Sequence, residues 1–119
     1  MSRLTGNILV IEDEFLIALE LVDALEDRGA AIVGPVSGVK EAIEHIARVP
    51  ELHGAVLDLN LRGEIGIPVA DELMAKGIPF IFTSGYAAAD IPEAFRHVPL
   101  LGKPTDVDAI VEALMSQMR

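Results

Sequence analysis

The chain reads as an α/β protein built on a parallel sheet, and three observations predict it. Short apolar runs alternate with helical patterns at an interval of about 20 to 25 residues, the rhythm of repeated β-α units. All but the last run are rich in β-branched or aromatic residues without polar alternation, as strands covered on both faces must be. Carboxylates close two of the runs: Glu12 and Asp13 follow the first, and Asp58 follows Ala55-Val56-Leu57 of the third. Parallel strands would bring these acids to one rim.

Five units fit. The first strand runs from Ile8 to Ile11 and leads into a helix from Glu14 to Arg28, stopped by Gly29. At about 100° per residue, Phe15, Ile17, Ala18, Leu21, Val22, Ala24 and Leu25 share a wide apolar arc facing the sheet. Leu16 and Leu19 lie on the opposite face, among Glu20, Asp23, Glu26 and Asp27. The second strand is Ala30 to Val36, followed by a helix from Val39 to Val49. The third strand, Ala55 to Leu59, precedes a helix from Pro68 to Lys76, with proline in the first turn and Gly77 past its end. The fourth strand is Ile78 to Thr83. The helix after it, Ala88 to Arg96, is short, because Ile91 precedes Pro92 and is turned away from helical backbone. Val98 to Leu101 is the fifth strand, and Asp106 to Met118 the last helix. In that helix Val107, Ile110, Val111, Leu114, Met115 and Met118 form a core face, able to dimerise if part of it stays exposed.

At 119 residues the chain is long enough for one core, and a single domain spanning 1–119 is expected. Hydrophobic residues make up 51%, and mean hydropathy is +0.44, so the chain should fold compactly. The formal charge of −10 opposes binding to nucleic acid and to anionic membrane surfaces. Cysteine is absent, which removes disulfides and thiolate chemistry and fits a cytoplasmic protein. No apolar stretch approaches the roughly 20 residues of a membrane span, and the first seven residues have no signal-peptide pattern.

Glu12, Asp13 and Asp58 crowded at one rim raise one another's pKa unless a cation compensates, and an all-oxygen donor set suits Mg²⁺ better than zinc. Strand-end acids also cap helices, a role open to Asp13 but not to Asp58. Thr83-Ser84-Gly85 ends the fourth strand with hydroxyls and a glycine that admits a ligand. Gly102-Lys103-Pro104 follows the fifth and aims an ammonium at the same rim. A nucleophilic carboxylate, a metal site, a hydroxyl and an ammonium are the parts needed to place a phosphoryl group on Asp58. His45, His53 and His97 are not spaced as metal ligands and read as surface or half-buried structural residues.

These residues resemble the receiver domain of two-component response regulators, over essentially the whole chain. Glu12 and Asp13 fall on the family's metal-binding acid pair, Asp58 on its phosphoryl acceptor, and Asn60 where a backbone carbonyl serves the metal. Ser84, rather than Thr83, falls on the Thr/Ser switch position, and Lys103-Pro104 on the lysine and cis-proline motif. The resemblance implies a flavodoxin-like (βα)5 three-layer sandwich with strand order 2-1-3-4-5. It also implies Mg²⁺ as cofactor and a histidine kinase or histidine phosphotransfer protein as phosphodonor. Output then passes through an unknown downstream protein, in a monomer or weak homodimer. Leu100 replaces the family's usual aromatic switch residue. Pro79-Phe-Ile-Phe-Thr-Ser-Gly-Tyr86 instead looks like the Pro-Phe-x-Phe-Ala-Thr-Gly-Tyr motif of a subgroup of stand-alone alphaproteobacterial receivers, associated with phosphorelay and stress signalling. Tyr86 would then be either the moving aromatic or a residue packed on the short fourth helix. Leu16 and Leu19 are expected to anchor the partner that brings phosphohistidine to Asp58.

Three other functions remain open on the sequence. A Mg²⁺ phosphohydrolase would use an aspartyl-phosphate intermediate but place a second acid where this chain has Asn60. A flavin module would need a hydroxyl- and glycine-rich loop where this chain has Glu12-Asp13-Glu14. A receiver can also bind its partners without being phosphorylated.

Overall fold

The computed structural model describes residues 4–85 and 91–118. Its strands are β1 (Gly6–Ile11), β2 (Ala30–Val36), β3 (Gly54–Asp58), β4 (Asn60–Leu61), β5 (Glu64–Ile65), β6 (Phe80–Ser84) and β7 (Leu100–Gly102). The helices are α1 (Phe15–Asp27), α2 (Val39–Arg48), α3 (Ile67–Ala75) and α4 (Val107–Met118). Five strands form one parallel sheet in the order β2-β1-β3-β6-β7, while β4 and β5 make a separate antiparallel pair. With that small pair set aside, the order is the expected 2-1-3-4-5 of the flavodoxin-like fold.

Alternation along β1 and β3 explains the missing polar positions. Ile8, Val10 and Val56 face one way and pack with Leu21 and Leu25 of α1 and Ile110 and Leu114 of α4. Leu9, Ile11 and Leu57 face the other way and pack with Ile46 of α2 and Leu73 of α3. Each such side chain fully buried stabilises the fold by about 1.5 to 3 kcal/mol. Gly29 and Gly77 follow α1 and α3 at φ 103° and 68°, left-handed backbone that glycine adopts without strain. Pro68 lies in the first turn of α3, where its missing N–H costs nothing.

Four expectations need correction. Phe15 is 73% exposed: it is the first residue of α1, and the buried face of the helix begins only at Ala18. β2 is not covered on both faces: it is an edge strand, with Ala31, Gly34 and Pro35 exposed. Its position tolerates Pro35, which has no N–H to give a second neighbour. The fifth strand starts at Leu100 rather than Val98, because Val98 N–H bonds back to Phe95 O at 3.0 Å as the chain leaves a turn. The short fourth helix is, in its described part, a 3₁₀ turn at Glu93–Phe95 that starts after Pro92 and buries Phe95 against Phe80 and Phe82. On the core face of α4, Ile110, Val111 and Leu114 are buried, while Val107, Met115 and Met118 pack against them and stay partly exposed.

The β4–β5 hairpin was not anticipated. Nor was the cis peptide Gly34-Pro35, which accompanies the cis Lys103-Pro104 expected from the resemblance. Among the described residues no helix is long and apolar enough to cross a membrane.

Candidate functional site

Parallel strands deliver their last residues to one edge, and the acids collect there. Glu12 follows β1 and Asp58 ends β3, both buried, while Asp13 is half-buried in the turn before α1. One carboxylate oxygen of each lies within 4.8 Å of the others. Asp13 does not cap α1. The cap residue is Glu14, whose N–H donates to Glu12 Oε2 at 3.0 Å, and Asp13 Oδ2 instead accepts the Arg62 N–H at 3.0 Å.

Lys103 is the counter-charge. Its N–H donates to Ser84 O at 2.8 Å, extending the β6–β7 ladder, and its Nζ lies 2.8 Å from both Asp58 Oδ2 and Glu12 Oε1. Glu14 Oε1 stands farther off, at 3.9 Å. The other Asp58 oxygen, Oδ1, accepts the Asn60 N–H at 3.0 Å, so both oxygens of this carboxylate are oriented. Burial alone would lower the Lys103 pKa, but the Asp58 and Glu12 carboxylates outweigh it and hold the ammonium above its ordinary value. Burial drives Glu12 the other way from an ordinary carboxylate, up to about 7, against the opposing Lys103 contact. Burial would raise Asp13 as well, yet hydrogen bonds from the Arg62 amide, the Glu12 and Asp58 side chains and its own backbone together outweigh it, and the carboxyl is lowered.

Asp13, Glu14, Asp58, Asn60, Gly63, Gly85 and Lys103 line one open pocket of about 300 Å³. A second cavity, about 120 Å³, lies behind Lys103 between α1 and α4 and has Glu12, Thr83, Pro104 and Thr105 in its wall. Thr83 pairs with Asp58 and Ser84 with Gly102. Alternation therefore sends the two hydroxyls to opposite faces of the sheet, and both residues are buried. Pro104 follows the lysine through the cis bond. Leu16 and Leu19 are exposed on α1, as expected, and Phe15 joins them. Tyr86 lies outside the described residues. His45 is half-buried, while His53 and His97 are exposed.

Sequence reasoning missed Glu14, Arg62 and Gly66. Gly66 sits so tightly against the end of β3 that an added Cβ would lie 2.9 Å from Asp58 O. The Gly-x-Pro spacing before α3 hinted at a turn, but nothing in it pointed to Asp58.

Three carboxylates against one ammonium leave excess negative charge in a small volume, which a hard divalent cation relieves. Oxygen donors without nitrogen or sulfur fit Mg²⁺.

No family model matches the chain. It is similar to SdrG of Sphingomonas melonis Fr1, 40% identical over the whole of both chains, whose solution structure superposes with a TM-score of 0.83. SdrG has also been solved in a BeF3-activated conformation, which superposes at 0.79 with 38% identity and complete coverage of both chains. The receiver domain of the PhyR response regulator of Erythrobacter litoralis is 28% identical, with 96% of this chain and 89% of that one covered and a TM-score of 0.77. Transcriptional regulatory protein PdtaR of Mycobacterium tuberculosis is 29% identical over a 115-residue alignment that covers 91% of this chain and 54% of PdtaR. The chain thus spans about half the length of the curated relatives it matches.

Proposed function

Because the chain belongs to the response regulator receiver family, we propose that it is a phosphorylation switch, relay or phosphate sink of two-component signalling, with Asp58 as acceptor. One observation carries this reading: Lys103 Nζ stands 2.8 Å from Asp58 Oδ2 at the mouth of a pocket that also holds Asp13 and Asn60. Asp13, Asp58 and the Asn60 carbonyl would hold Mg²⁺, with Glu12 behind them. When bound, that ion neutralises charge on the phosphoryl oxygens and brings them to the pocket.

The protein's own groups do the rest. An Asp58 oxygen attacks phosphorus of a phosphohistidine; the N–P bond breaks, its electron pair stays on the imidazole, and the acyl phosphate O–P bond forms. Lys103 Nζ exchanges its Asp58 contact for a phosphoryl oxygen, and Ser84 is the switch hydroxyl that answers it. Water later returns Asp58 to a carboxylate and releases inorganic phosphate. The chain acts as a single receiver domain that transforms no other substrate, with its output through contact with another protein. Phe15, Leu16 and Leu19 form an exposed apolar patch beside the pocket, the surface a histidine kinase or phosphotransfer bundle would cover. The BeF3-activated structure of SdrG supports a receiver of this size responding to a phosphoryl mimic.

Incubation with Mg²⁺ and acetyl phosphate should add one phosphoryl group by intact mass, and Asp58→Asn should abolish it. A folded protein that binds Mg²⁺ yet gains no mass would move the function to phosphorylation-independent binding.

A further inference from the structure

Taking the pocket as the cation site proposed above, we infer that Arg62 is a positioning residue, clasping Asp13 in the orientation that receives the ion. β4 and β5 pair Asn60 with Ile65 and Leu61 with Glu64, leaving Arg62 and Gly63 as a two-residue loop. Their φ angles are 53° and 82°, the double positive pair of a type I′ hairpin turn. Glycine, asparagine and aspartate suit the first of these positions; arginine contributes nothing to the turn itself.

What arginine contributes is reach. Its Nη2 donates to Ser37 Oγ at 2.6 Å, and Nη1 lies 3.7 Å from Glu41 Oε1. The hairpin tip is thereby tied to the residues around the start of α2. Held there, the Arg62 N–H donates to Asp13 Oδ2 at 3.0 Å. The hairpin base is fixed separately, by the fully buried Leu61 and by the Asn60 N–H on Asp58 Oδ1. One hairpin therefore orients two of the three carboxylates: Asp58 from its base and Asp13 from its tip. Removing the arginine side chain frees only the tip. Asp13 then gains rotamers that must be given up again when a cation binds, which weakens affinity.

The charge effect has the opposite sign. Losing a guanidinium beside a cation site favours the cation, and this one is 63% exposed and largely screened. A fall in affinity therefore reports the clasp and not the charge.

The test is a Mg²⁺ titration followed by amide NMR shifts, with thermal unfolding in the absence of Mg²⁺ as the check on folding. Arg62→Ala should weaken Mg²⁺ binding about three- to tenfold, and Arg62→Lys less. Ser37→Ala, which touches no pocket atom, should weaken it in the same direction, and the Arg62→Ala/Ser37→Ala pair should be no worse than Arg62→Ala alone. Affinity unchanged or tightened in Arg62→Ala, with a wild type that binds Mg²⁺, overturns the clasp and leaves the cation reading standing. A wild type that binds no Mg²⁺ overturns both.

Discussion

Glu12 shows how burial decides charge at a single residue. Its side chain is 2% exposed, and removal from water raises its pKa to about 7 even though Lys103 Nζ is 2.8 Å away. The folded state then holds this proton more tightly than the unfolded chain, whose carboxyl has the ordinary value of 4.5. Between those two values folding takes up a proton, so the stability contributed by Glu12 falls as pH rises through the window. At about 1.4 kcal/mol per pKa unit the loss is at most about 3 kcal/mol. Chemical denaturation without divalent cations, at about pH 5 and about pH 8, should show this decline in the wild type and a smaller one in Glu12→Gln. Parallel profiles would show that Glu12 is already ionised at the lower pH. The residue type and place of Glu12 are plain in the sequence. Its environment is not, because the walls around it come from α1, β6 and the turn after β7.

Helix α1 shows where periodicity succeeds and where it stops. Its spacing correctly puts Ala18, Leu21 and Leu25 in the core and Leu16 and Leu19 outside. It misplaces Phe15, since a helical wheel has no knowledge of where along the helix burial begins. The result is an apolar patch one residue larger than expected, at the edge the proposed phosphohistidine donor would cross. Leu16→Ser with Leu19→Ser should slow transfer from a phosphorylated histidine phosphotransfer bundle about tenfold or more, while phosphorylation by acetyl phosphate and Tm stay near wild type. Transfer at the wild-type rate would rule the patch out as an anchor. The fourth helix is the converse case. Pro92 announced an interruption, but burial of Phe95 against Phe80 and Phe82, with ring centroids 6.3 and 6.2 Å away, is a contact between distant segments.

The whole molecule carries a formal charge of −10, with three of its carboxylates gathered in one place. A cation bound only by the folded state stabilises it by mass action, by about 2.7 kcal/mol at 100 times Kd. For a domain of this size that corresponds to a rise in Tm of roughly 10 °C. Calorimetry in Mg²⁺ against K⁺ at equal ionic strength should show the rise, and Asp13→Asn/Asp58→Asn should remove it. An equal rise in that variant would trace the effect to screening of net charge and not to a site.

The sequence by itself determined the α/β class, the alternation of strands and helices, and the chemistry carried to the strand ends by Glu12, Asp13, Asp58, Ser84 and Lys103. These are local properties: hydrophobic period, turn residues, and acids placed directly after apolar runs. Only the tertiary structure decided that β2 is a half-exposed edge, that Gly66 is pressed against the end of β3, and that Arg62 reaches from a hairpin tip to Asp13 and Ser37. Each depends on a distance through space, and no local pattern encodes such a distance until the sheet has set which segments lie side by side.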